Sequence, residues 1–220
     1  MLERFRRRRS SSQPDGTRVS SPYQFLWAIL AGGSGVRIGG DKALKRLAGV
    51  PLVEWVAGAM RIAGGDPLII GRSSSISGIA AIPDLTPACS GALIGLITAM
   101  DAAENAARVG DGPAMAIVVG VDLPLVKPAT LRFMTALADE RRAIVPVVEG
   151  ELFAMLAVYP SVLLRDALFV CKRGGSVADF LAKIPVRRVE ETEWRQWGED
   201  GSSFFTVKTP ADLNEAENLL

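Results

Sequence analysis

A chain of 220 residues that is 49% hydrophobic and 22% charged suits one ordinary domain with a sizeable core, and excludes disorder along its whole length. It contains no histidine, which removes the Ser-His-Asp triad, histidine bases and His-ligated zinc, so any acid-base or metal chemistry falls to carboxylates, lysine or arginine. The net charge of +1 is unevenly placed: residues 1–22 hold six arginines against Glu3 and Asp15, while the remainder has 19 basic against 22 acidic residues, a balance unlike that of a nucleic-acid binder.

Residues 1–22, rich in Arg, Ser and Pro and poor in apolar side chains, are expected to form a flexible basic leader, with residues 23–220 as a single domain. Phe25 to Leu30 is too short for the apolar part of a secretory signal, and no run approaches the roughly 18 apolar residues of a membrane span. Cys89 and Cys171 show no CxxC pattern, so neither a disulfide framework nor a thiolate zinc site is suggested. The expectation is a cytoplasmic protein without a membrane or nucleic-acid partner.

From Gln24 onward short apolar runs alternate with helical patterns, the organisation of an α/β domain with a largely parallel sheet. The strand candidates are Phe25 to Leu30, Pro67 to Ile70, Met115 to Val121, Ala143 to Val148, Leu152 to Tyr159 and Val186 to Val189. Helical spacing or composition marks Leu52 to Ala63, Leu93 to Ala107, Ala129 to Ala138 and Ser161 to Cys171. A last helix is signalled by Thr209 as cap, Pro210 in the first turn and Asp212 three residues after the cap, with Leu213, Ala216, Leu219 and Leu220 as its buried stripe.

Directly after the first strand, Leu30-Ala31-Gly32-Gly33-Ser34-Gly35-Val36-Arg37-Ile38-Gly39-Gly40-Asp41-Lys42 is rich in glycine. Such a turn lets backbone N–H groups approach phosphate oxygens, because no Cβ intervenes. A Rossmann fingerprint fails at Ile38, which stands where its last glycine belongs, and a Walker A loop fails at Asp41 and Ala43. Arg37 and Lys42 supply the charge that an anionic substrate needs. Asp122 follows the apolar run Met115 to Val121, at the strand end where open α/β sheets bind ligands, and a carboxylate there suits Mg²⁺. The same residue also suits a turn ahead of Pro124, as Asp84 does after Pro83.

Leu30 to Gly33, Arg37, Gly39-Gly40, Asp41-Lys42 and Gly49 to Leu52 resemble, in order, the opening signature of the molybdopterin guanylyltransferase type of nucleotidyltransferase. Pro83-Asp84 with Ser90 to Gly95 is similar to that family's second nucleotide segment, Val118 to Leu125 to its third, and Phe205 to Leu213 to its closing segment. The resemblance covers about residues 25–220. It departs at Ala92, at Thr206 and Lys208, where the pattern leads one to expect asparagines, and at Gly71, which also replaces an asparagine.

The resemblance implies a three-layer, Rossmann-like nucleotidyltransferase fold with a largely parallel central sheet. It implies transfer of GMP from GTP to the terminal phosphate of molybdopterin, giving molybdopterin guanine dinucleotide and pyrophosphate. Arg37 and Lys42 would act on the developing charge, and Leu30, Ala31, Gly32, Gly33, Lys42, Asp84 and Asp122 would bind the nucleotide. Asp122 would hold Mg²⁺. Molybdoenzymes or cofactor-insertion proteins would be partners downstream. A cytidylyltransferase for the same pterin, a sugar-1-phosphate nucleotidyltransferase and a nucleotide-binding regulator without turnover remain as alternatives.

Overall fold

The computed structural model describes residues 22–32, 40–85, 91–107 and 112–220. Strand β1 (Gln24–Leu30) leads through a glycine-rich connection and a small hairpin, β2 (Arg46–Leu47) and β3 (Val50–Pro51), into helix α1 (Leu52–Ala63). β4 (Pro67–Ile70), β5 (Ala81–Ile82), α2 (Ala92–Ala107), β6 (Ala114–Gly120) and α3 (Pro128–Ala136) follow. The second half runs through β7 (Ala143–Val148), β8 (Glu151–Leu152), β9 (Leu156–Pro160), α4 (Leu164–Cys171) and α5 (Val177–Leu181). It closes with β10 (Val186–Val189), α6 (Glu191–Gln196) and α7 (Pro210–Asn218).

The main sheet has the order β10-β7-β9-β6-β1-β4-β5, with β8 paired to β7. β1 runs parallel to both β4 and β6, β4 to β5, and β10 to β7, whereas β9 lies antiparallel between β6 and β7. Alternate residues of each central strand therefore point to opposite faces. Ile29, Ile69, Ile117 and Val119 pack with Val53, Val56 and Met60 of α1, Leu131 and Met134 of α3, and Trp194 of α6. Ala28, Ile70, Ala116 and Val118 pack on the other face with Leu93, Leu96, Ile97 and Met100 of α2, Val170 of α4 and Phe180 of α5. The result is the three-layer arrangement with a largely parallel sheet.

Several local readings need correction. The apolar run Leu152 to Tyr159 is not one strand: β8 ends at Leu152, the Phe153 amide turns back to the Pro146 carbonyl at 2.8 Å, and β9 starts at Leu156. Ser161 to Leu163 forms a tight 3-10 turn ahead of α4. The capping box of Thr209 and Asp212 forms as read, but Leu219 and Leu220 are more than half exposed, because α7 ends at Asn218 and only Ala216 is fully buried. Cys171, buried at the end of α4, is disulfide-bonded, contrary to the reading of the cysteine spacing. Separation along the chain does not register what folding brings together, so that spacing carries no argument about redox compartment. Cys89 and residues 1–21 of the leader lie outside the described residues.

One buried carboxylate ties the second half together. The side chain of Glu199 is fully buried and accepts hydrogen bonds from the Thr130 hydroxyl, the Ser203 hydroxyl (2.5 Å) and the Gly201 amide (2.9 Å). Lys127 lies 3.9 Å away. Removing it would orphan buried donors on α3 and on the 3-10 turn Ser202–Phe204. Glu199→Ala is expected to cost about 3 kcal/mol, a fall of roughly 10 °C in Tm by thermal denaturation; an unchanged Tm would refute the tie.

Candidate functional site

β1, β4 and β6 end at the same edge of the sheet, with Leu30 in register with both Ile70 and Gly120. The ladder continues past the strand ends, since the Ala31 amide donates to the Ile70 carbonyl and the Val121 amide to the Leu30 carbonyl, both at 3.0 Å. The chain leaves β1 for β4 on one side and returns as β6 on the other, so a crevice opens beyond their carboxyl ends, where open α/β sheets bind ligands.

The floor of that crevice is made of backbone. Gly71 has φ +90°, and a Cβ there would lie 2.6 Å from the Gly32 Cα and 2.8 Å from its nitrogen, so the two segments approach this closely only because residue 71 is glycine. Asp84 closes the corner: its Oδ2 lies 3.4 Å from where a Gly32 Cβ would stand and its Oδ1 3.5 Å from the Gly71 position. Partial burial there raises the Asp84 carboxyl above the ordinary carboxylate range. The neighbouring Leu85 amide donates to Thr98 Oγ1 at 3.0 Å, which anchors the segment to α2.

Across the crevice Lys42 and Asp122, 80 residues apart in sequence, form an ion pair with Nζ to Oδ2 at 3.0 Å. Asp41 prepares Lys42 for this, because its carboxylate accepts the Ala43 amide at 3.1 Å and caps the 3-10 turn Lys42–Leu44. Asp122 is held at both ends. A Cβ on Gly120 would stand 2.4 Å from its Oδ1, so only glycine leaves room for this rotamer, and its carbonyl accepts the Val207 amide of the closing segment at 2.9 Å. Both side chains remain about one-quarter exposed, at 24% and 22%, open to a ligand.

The GxPL element also has a structural meaning. Ala48 (φ 48°) and Gly49 (φ 81°) make the two-residue turn between β2 and β3, and Pro51 then leads into α1. Trp55 fixes the hairpin by donating from Nε1 to the Leu47 carbonyl at 3.0 Å. At the positions that depart from the pattern, Ala92 opens α2, the Thr206 hydroxyl donates to the Phe204 carbonyl at 3.3 Å, and Lys208 is exposed.

Of the residues singled out in the sequence, Leu30, Ala31, Gly32, Lys42, Asp84 and Asp122 gather at this one edge, while Gly33 and Arg37 lie outside the described residues. Sequence reasoning missed Gly71 as a contact and Arg72 altogether. The first had a signal, a glycine directly after an apolar run; Arg72 had none. Among the described residues no three acidic or cysteine side chains cluster as a metal cage. No described helix is long and apolar enough to cross a membrane.

The family described as the MobA-like NTP transferase domain matches residues 27–189. The chain belongs to that family. It is a nucleotidyltransferase, and the crevice lies within the matched region. The chain is 30% identical over 201 residues to the probable molybdenum cofactor guanylyltransferase of Pelotomaculum thermopropionicum, covering 88% of this chain and 92% of that protein. Identity to the molybdenum cofactor guanylyltransferase of Rhizobium meliloti is 29%, covering 87% and 90%. The crystal structure of molybdopterin-guanine dinucleotide biosynthesis protein A from Archaeoglobus fulgidus superposes with a TM-score of 0.72 at 25% identity, covering 88% of this chain and 97% of that one.

Proposed function

We propose that this MobA-like transferase moves GMP from GTP to the terminal phosphate of molybdopterin, releasing pyrophosphate and forming molybdopterin guanine dinucleotide. The observation that carries the reading is the pairing of Lys42 with Asp122 beside the glycine floor, at the strand ends of a chain in this family. In this reading the Gly32 region admits the triphosphate, Asp84 borders the nucleoside, and Lys42 and Arg37 neutralise charge on the phosphates. An oxygen of the acceptor phosphate attacks the α-phosphorus as the bond from that phosphorus to the bridging oxygen of pyrophosphate breaks. The attacking phosphate is anionic at neutral pH, so the absence of histidine is no obstacle.

Asp122 is the residue we assign to Mg²⁺. A lone carboxylate fits this ion, which usually takes one or two carboxylates and completes its shell with substrate phosphates and water. The glycine at 120 leaves Oδ1 standing over bare backbone, and Oδ2 is the atom shared with Lys42. When bound, the ion would polarise the phosphates and offset their charge. Residues 23–220 would serve as the working domain in the cytoplasm, with residues 1–22 as a dispensable basic arm, and the product would pass to molybdoenzymes or their insertion proteins.

A panel of nucleoside triphosphates, each mixed with Mg²⁺ and molybdopterin, tests this directly through pyrophosphate release. GTP is expected to be preferred by at least about tenfold over CTP, ATP and UTP. A preference for CTP would make this the cytidylyltransferase of the same acceptor, and nucleotide binding without pyrophosphate release would make it a regulator.

A further inference from the structure

Arg72 is not among the residues singled out in the sequence, yet it makes a two-armed charged contact with the residue preceding Lys42. It stands two residues beyond the end of β4, where its backbone amide donates to the Ile82 carbonyl at 3.0 Å. Its guanidinium forks onto Asp41: Nη1 donates to Oδ2 at 2.6 Å and Nη2 donates to Oδ1. The same Oδ1 accepts the Ala43 amide. Three donors thus converge on one carboxylate, leaving Asp41 a single orientation, and Asp41 is the residue directly before Lys42. The Arg72 Nε is buried and has no acceptor among the described residues, so the guanidinium engages Asp41 through its two terminal nitrogens.

We propose that Arg72 is a positioning residue for nucleotidyl transfer: by clamping Asp41 it fixes the turn Lys42–Leu44 and so holds the Lys42 ammonium at Asp122. Arginine suits this task because its planar fork engages both oxygens at once, which a lysine does not. The clamp joins the segment after β4 to the segment that follows the glycine loop. The ion pair is partly exposed, 21% for Arg72 and 32% for Asp41, so its contribution to stability is small and its effect falls on geometry. The inference rests on the reading of Lys42 given above.

The test compares Arg72→Gln, Arg72→Lys, Asp41→Asn and the Arg72→Gln/Asp41→Asn double variant in the full chain. Each glutamine or asparagine variant is expected to lower kcat for pyrophosphate release about tenfold, with Tm and the KM for molybdopterin nearly unchanged. Arg72→Lys should stay closer to Arg72→Gln than to the wild type. The double variant should be no worse than the poorer single, because both break one clamp. Hydrogen exchange at the Ala43 amide should accelerate in all of them, with or without substrate. Unchanged exchange in Arg72→Gln overturns the clamp even if the wild type turns over no nucleotide, and a wild type inactive with every nucleotide sinks instead the reading of the site. Faster exchange with full kcat, or losses that multiply in the double variant, overturns the positioning role.

Discussion

Asp122→Asn is expected to keep its fold and lose about 100-fold or more of Mg²⁺-dependent pyrophosphate release. The side chains have the same shape, and the backbone bond from Val207 to the Asp122 carbonyl does not depend on the carboxylate. What disappears is one negative oxygen at the end of β6. The lost pairing with Lys42 should lower Tm by no more than a few degrees, since a partly exposed ion pair contributes about 1 kcal/mol or less. Thermal denaturation and steady-state turnover on one preparation separate the two effects. A folded variant with wild-type kcat would remove Asp122 from the metal.

Gly71→Ala is expected to damage both stability and activity. A Cβ at that position would stand 2.6 Å from the Gly32 Cα and 2.8 Å from its nitrogen, and both atoms are backbone that no side-chain rotation can move aside. The positive φ of +90° adds strain of its own. A cost of at least about 2 kcal/mol is expected, seen in denaturant or thermal unfolding, together with weakened GTP binding because the Gly32 backbone must shift. Gly71→Asn should do no better, since the Cβ and not the amide makes the collision. If either variant bound GTP like the wild type at an unchanged Tm, the floor would be softer than these distances imply.

How much of this was legible in the sequence depends on what each residue needed as a signal. Pro67–Ile70 and Ala143–Val148 appear with the bounds read from their apolar runs, because each is a largely buried strand bounded by glycine or charged residues. Leu152 to Tyr159 misled because Phe153, Ala154 and Met155 turn the chain without a glycine, proline or charge to mark it. α5 and α6 went unread because five and six residues are too few to show a helical period. At the site, the glycine run and the acid after β6 could be found by physical reasoning, whereas Asp84 came only from family likeness. The Arg72–Asp41 contact spans 31 residues, and no local pattern reports a partner at that distance.

The reversed strand β9 has a consequence for the far side of the crevice. In a sheet whose strands all run one way, each strand delivers only its finishing end to the ligand edge. β9 runs backwards, so its beginning arrives there: Leu156 lies opposite Val119, and the Gly120 amide donates to the Met155 carbonyl at 2.8 Å. The tight turn at Glu149 and Gly150 folds the chain back after β7, and residues 153–155 then bring it alongside the base of Asp122. The edge therefore receives incoming chain as well as outgoing chain, and the wall beside Asp122 is built from the β7–β8 hairpin and the segment that leads into β9. The two sides of the edge are thus built differently, one by the close approach of Gly71 to Gly32 and the other by a hairpin and the incoming end of β9.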